Sequence, residues 1–97
     1  ATGYQSLYSN TTGGSNVAIG YYSLYSNNTA SNNTAIGFES LYTSVSGIDN
    51  VAIGFRSLKF NTGHYNVATG KDALTTNTTV YSNVATGYNA LKANTSG

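Results

Sequence analysis

An Ala-Ile-Gly or Ala-Thr-Gly triplet recurs along the chain with its glycine at Gly3, Gly20, Gly37, Gly54, Gly70 and Gly87, in steps of 17, 17, 17, 16 and 17 residues. A second mark, Leu7, Leu24, Leu41, Leu58, Leu74 and Leu91, keeps the same steps. The residue missing from the fourth repeat therefore falls after its leucine, in the turn Asn61-Thr62-Gly63-His64-Tyr65. A third mark, Asn16, Asn33, Asn50, Asn66 and Asn83, opens each Asn-Val-Ala or Asn-Thr-Ala segment. Self-similarity at a short fixed period limits the chain to repeat architectures. Seventeen residues are too few for a helix pair, and Gly, Asn, Ser and Thr are poor material for one.

What remains is an all-β chain, a β-solenoid of about 17-residue coils. It reads as one repeat domain over residues 1–97, with five full coils and a partial sixth, cut from a longer fibrous protein. In Val17-Ala18-Ile19 the larger side chains alternate with a small one, the period-2 pattern of a strand. The expectation is that Val17, Ile19 and Leu24 face inward. Tyr22-Ser23-Leu24-Tyr25-Ser26 reads as a second strand, with Gly20 as the bend between the two.

Only about three sizeable apolar groups per coil would then be buried, a thin core for the entropy of ordering 17 residues. Neighbouring chains are the natural supplement. The small Ala18, Ala35, Ala52, Ala68 and Ala85, placed on the opposite strand face, are the expected interface of a homotrimer. The Asn16, Asn33, Asn50, Asn66 and Asn83 column is expected to form a ladder of amide hydrogen bonds between coils.

Charge excludes several functions. Only 7% of residues are charged and the net charge is +1, so there is no basic patch of the size that nucleic acid demands. No apolar run is long enough to insert in a membrane. The chain has no Cys and one His, and its three acids are Glu39, Asp49 and Asp72. Neither a nucleophile-base-acid set nor a metal site can be assembled from these, so no enzyme activity, metal or cofactor is expected. Gly13-Gly14 is followed by Ser15-Asn16 rather than by the aspartate of a calcium-binding nonapeptide. His64 reads as a solvated turn residue, although three copies in a trimer could converge on an axis. The Asn-x-Ser/Thr matches at Asn10, Asn27, Asn32, Asn77 and Asn94 follow from a composition with 13 Asn and 14 Thr.

The segments NVAIG, NTAIG and DNVAIG, each followed by an aromatic and then Ser-Leu, resemble the head repeats of trimeric autotransporter adhesins. The resemblance spans nearly the whole chain, although that family uses a shorter repeat. It implies a left-handed parallel β-roll packed as a trimer. The cadence Gly-Tyr-x-Ser-Leu-Tyr-x-Asn is also similar to arrays in phage and bacterial tail-fibre proteins. Both relatives imply an extracellular attachment fibre on a cell surface or virion, with a host or prey surface glycan or protein as its target.

The expected function is accordingly structural and adhesive. A glycan-binding module is the alternative, for which Tyr21, Tyr25, Phe38 and Tyr42 in the aromatic columns, with His64 and Tyr65 in the irregular turn, are the candidate contacts. An ice-binding solenoid is more remote, because Thr75-Thr76-Asn77-Thr78-Thr79 has no counterpart in the other repeats. Finally, Glu39, Arg56 and Asp72 share one repeat position, so in-register stacking should set Arg56 between two carboxylates.

Overall fold

The computed structural model describes residues 1–76 and 82–92. Asn77 and Asn94, with most of the Thr75–Thr79 run, lie outside that set. Five three-residue strands, β1 (Val17–Ile19), β2 (Thr34–Ile36), β3 (Val51–Ile53), β4 (Val67–Thr69) and β5 (Val84–Thr86), form one parallel sheet in chain order. Thr2 bridges to Ile19 and begins the same sheet. Each strand pairs with its equivalent one repeat on, alanine opposite alanine: Ala18 with Ala35, Ala35 with Ala52, Ala52 with Ala68, Ala68 with Ala85. The chain is a parallel β-solenoid with a coil of about 17 residues.

The two strand faces are the reverse of the sequence expectation. Ala18, Ala35, Ala52, Ala68 and Ala85 are 0–4% exposed and share the interior with Leu24, Leu41, Leu58 and Leu74, each at 0%. Val17 and Ile19, by contrast, are 46% and 44% exposed. The alanines therefore present nothing to a neighbouring chain, which corrects their assignment as an interface. The reason is width. Leucine reaches across the coil from the side opposite the strand, and the space left between it and the sheet accepts a methyl group but not a second branched side chain.

The leucine segment is a chain of turns rather than a strand. In the second coil Ser23 N–H donates to Gly20 O (3.3 Å) and Asn27 N–H to Leu24 O (3.2 Å), closing two successive turns. Tyr22 and Leu24 have φ of 59° and 49°, and every other coil repeats this at its equivalent residues. Left-handed backbone is disfavoured for a residue with a β-carbon, by about 1–2 kcal/mol. It persists because it alternates the direction of the peptide groups. Tyr22 N–H reaches back to Tyr4 O (3.0 Å), whereas Leu24 N–H reaches forward to Ser40 O (3.0 Å). The corner is thus tight, and its backbone is still hydrogen-bonded to both neighbouring coils.

Glycine is required after each of β1 to β4 for two reasons. Gly20 has φ of 124°, and a β-carbon there would lie 2.8 Å from Gly37 O in the next coil. Backbone meets backbone at this column, so no rotamer change could relieve the clash.

The fourth repeat keeps register despite its missing residue, as Val51 pairs with Val67 and Ala52 with Ala68. One residue, Thr62, separates Asn61 from Gly63, where Thr11-Thr12 and Asn28-Thr29 stand in the first two coils. The side-chain bond that spans this loop survives the shortening: Asn27 Nδ2 donates to Ala30 O (3.2 Å), and Asn61 Nδ2 to Gly63 O (3.0 Å). Absorbing the deletion in the loop avoids the one-residue slip that would turn a strand inside out.

Because Ala52 is interior and Thr62 is exposed, Ala52→Leu should destabilise the fold by about 1–3 kcal/mol through overpacking. Thr62→Leu should change stability by no more than about 0.5 kcal/mol. Thermal denaturation of the two variants checks this, and equal melting temperatures would contradict the inward direction of the alanines.

Candidate binding face

The segment from each strand-ending glycine to the residue after the leucine carries most of the chain's side-chain chemistry. Nine of the twelve aromatic residues and all four Lys and Arg fall within it. Stacking the coils draws these residues into three parallel files on one side of the solenoid.

The first file, one residue after the glycine, is Tyr4, Tyr21, Phe38, Phe55, Lys71 and Tyr88. Its rings stack face to face, with centroids 5.3 Å apart for Tyr4 and Tyr21, 5.2 Å for Tyr21 and Phe38, and 5.0 Å for Phe38 and Phe55. Lys71 takes the place of a ring without breaking the file. Its Nζ lies 5.6 Å from the centroid of Phe55 and 5.3 Å from that of Tyr88, so the ammonium joins the two rings by cation–π contact.

The second file follows the leucine and begins Tyr8, Tyr25, Tyr42, Lys59. Here too the rings stack, at 5.3 Å and 5.2 Å, and a lysine continues them, with Lys59 Nζ 5.7 Å from the Tyr42 centroid. Between these two runs the file two residues after the glycine, which includes Tyr22, Glu39, Arg56 and Asp72. Tyr22 ties the aromatic files together, 4.0 Å from Tyr21 and 4.9 Å from Tyr25 between centroids. Its phenol is held above the ordinary value, chiefly by a hydrogen bond with the Tyr21 side chain and then by burial and by the charges of Tyr21 and Glu39.

Glu39 is the electrostatic centre of the middle file. Its Oε1 is 2.8 Å from Lys59 Nζ and 3.7 Å from Arg56 Nε. The expected placement of Arg56 between two acids holds on the Glu39 side only. Among the described residues no ion pair joins Arg56 to Asp72. Asp72 is buried, and its Oδ1 accepts from Thr75 Oγ1 at 3.5 Å. Arg56 instead lies over Phe55, 4.7 Å from the ring centroid. Lys59, three residues on, supplies the second cation that Glu39 attracts.

Of the candidate contacts, Tyr21, Tyr25, Phe38 and Tyr42 come together on this face. His64 and Tyr65 do not join it. They lie in the turn before β4, where the His64 Nδ1 accepts from Ile48 N–H (2.9 Å) and so serves the backbone. In an earlier coil Ser31 Oγ has the same role, accepting from Gly14 N–H (3.1 Å).

The asparagine column links coils by side chain to backbone. Asn16 Oδ1 accepts from Asn33 N–H, Asn33 Oδ1 from Asn50 N–H and Asn50 Oδ1 from Asn66 N–H, each at 2.9 Å. Their Nδ2 groups donate onward to Ala30 O, Gly47 O and Gly63 O. A second column stands three residues after each leucine, and its regular spacing is equally visible in the sequence. In it Asn27 Nδ2 donates to Asn10 Oδ1 at 2.8 Å. Serine interrupts this column in the third coil, and Asn27 Oδ1 and Ser44 Oγ are both buried without a partner.

Sequence reasoning alone does not single out Tyr22, Lys59 and Lys71 as members of this face. The two lysines look like exceptions to an aromatic column, and only the stacking shows that they continue it. The described residues enclose no pocket, contain no group of three or more potential metal ligands, and include no helix long and apolar enough to cross a membrane.

Fold and face together define a parallel β-solenoid repeat protein with one aromatic and cationic side. No protein-family model matches the chain, and no curated protein or solved structure matches it either.

The interrupted column yields a stability test. Ser44→Asn places an amide where Asn27 Oδ1 lacks a donor, and should stabilise the fold by about 0.5–1.5 kcal/mol. Ser44→Ala, which removes no hydrogen bond, should be close to neutral. Urea denaturation of both variants checks the pair.

Proposed function

We propose that the chain is a structural and adhesive segment of an extracellular fibre, on a cell surface or a virion, which assembles as a homotrimer and acts without catalysis. The observation that carries this reading is the outer face of the sheet. Val17, Ile19 and Ile53 are 46%, 44% and 38% exposed, and Ile36, Val51 and Val67 lie beside them, half-buried. A parallel sheet is normally covered on both faces, and strands that are apolar on both sides are those in which neither face meets water. In a single coil only the alanine face is covered. A contiguous apolar surface of this kind marks an interaction site.

Identical chains offer identical strips, so a closed cyclic assembly would bury all of them at once. The resemblance to trimeric adhesin heads favours three copies. In such a fibre the inter-coil hydrogen bonds run along the axis. Tension would therefore load many of them together, and each coil would be the template for the next. Adhesion would fall to the surfaces left outside the trimer, and the aromatic and cationic side is the richest of these in chemistry.

The ice-binding alternative finds little support. The outward strand positions pair Val with Ile, Thr with Ile, and Val with Thr, and so form no double file of threonines.

Light scattering after size exclusion is the test. The chain should run as three copies at micromolar concentration. The double variant Ile19→Lys, Ile53→Lys should run as a monomer, because two charges per chain would be forced into an apolar seam. A folded monomer of the unaltered chain at millimolar concentration would overturn the proposal.

A further inference from the structure

The three files are not uniform along the solenoid. The first three coils supply Tyr4, Tyr8, Tyr21, Tyr22, Tyr25 and Tyr42, so that end of the face is rich in phenolic hydroxyls. Every Lys and Arg lies in the coils that follow, at Arg56, Lys59, Lys71 and Lys92. Two carboxylates share the face with these four cations, too few to neutralise it. Glu39 serves both Arg56 and Lys59, while Asp72 is buried. Lys71 is exposed and has no carboxylate partner among the described residues, only the rings of Phe55 and Tyr88. Arg56 and Lys71 both approach Phe55, so two cations crowd one ring.

The stacking also limits how a ligand can use the rings. At centroid separations of 5.0–5.3 Å and tilts of 6–16°, the ring faces within a file are covered by their neighbours. A flat base or a sugar ring cannot insert between them. The face offers ring edges, phenol O–H groups and cations, repeated at every coil.

We infer that this side of the solenoid binds an extended acidic polysaccharide, laid along the axis with its hydroxyls against the tyrosine end and its anionic groups against the exposed Arg56 and Lys71, Lys59 being held by Glu39. The inference rests on the adhesive reading above and names the ligand of that surface. An acidic polysaccharide matches on three counts. It is linear and repeats at a distance comparable with one coil, it has hydroxyls to accept from and donate to phenols, and its charges need cations without needing an open ring face. Single-stranded nucleic acid matches the charge but draws much of its affinity from base stacking, which the filled columns deny it.

Isothermal titration of the folded chain tests this with a polyuronate, a sulfated polysaccharide, a neutral glucan of similar length and oligo-dT. Binding to either acidic polymer that weakens with salt, together with at least tenfold weaker binding to the glucan and to oligo-dT, is the expected result. Comparing the two acidic polymers tells whether carboxylate or sulfate is preferred. Lys71→Gln should weaken binding about two- to fivefold, while Lys71→Arg should preserve it. Since Lys71 is exposed, both variants should retain the far-ultraviolet circular dichroism of the parent. Failure of both acidic polymers to bind, equal binding of glucan or oligo-dT, or unchanged affinity in Lys71→Gln would overturn the inference. Light scattering on the same samples separates the two proposals. A trimer that ignores acidic polymers removes this one alone, and a monomer that binds them removes the trimer alone.

Discussion

Hydrogen bonding between successive coils is the constraint on which the rest of this structure depends. A coil of about 17 residues with three-residue strands closes only a few hydrogen bonds within itself, in the turns on either side of its leucine. Its polar backbone must be satisfied by the coils above and below, and that works only if adjacent coils follow the same path. Repetition of sequence is the means of repeating the path. The asparagine column extends the rule to side chains, because each Oδ1 accepts from the backbone N–H of the next asparagine and so measures one coil against another. A shared register then makes every other column possible, from the alanines within to the rings outside.

The same constraint explains backbone conformations that propensity would not select. Leucine is an unusual residue for positive φ, yet all six repeat leucines adopt it, between 47° and 52°. At Leu24, Leu41, Leu58 and Leu74, turning the corner there sends the side chain into the interior and leaves its N–H aimed at the neighbouring coil. The local cost is offset in these four layers by a buried side chain and a satisfied peptide group. Glycine at the strand end answers a different need, the close approach of one backbone to another, and no other residue could replace it.

Once the coils stack, the cross-section separates the chemistry. Small and polar groups, Ala18, Ser23 and Asn27 among them, share the interior with leucine. Branched apolar side chains stand on the outer sheet face, and aromatic and cationic residues occupy the side formed by the turns. The exchange of rings for lysines at positions 59 and 71 preserves each file because an ammonium can sit on the face of the ring before it. This tolerance lets charge vary along the axis while the backbone does not change.

The period, the parallel stacking, the in-register strands and the site of the one-residue deletion were all determined by the sequence, because each follows from spacing alone. Spacing also announced the asparagine ladder and the aromatic columns. The tertiary structure decided which strand face is inside. Alternation in Val17-Ala18-Ile19 distinguishes two faces but does not rank them, and the width left beside leucine, a property of the closed coil, admits only alanine. It likewise decided that Tyr22–Ser26 is a chain of turns, since the left-handed conformation at Tyr22 and Leu24 is imposed by hydrogen bonds to residues in the coils on either side. And it decided that Glu39 pairs with Lys59 as well as Arg56 while Asp72 is buried, because side chains at one repeat position find different neighbours whenever the next file changes.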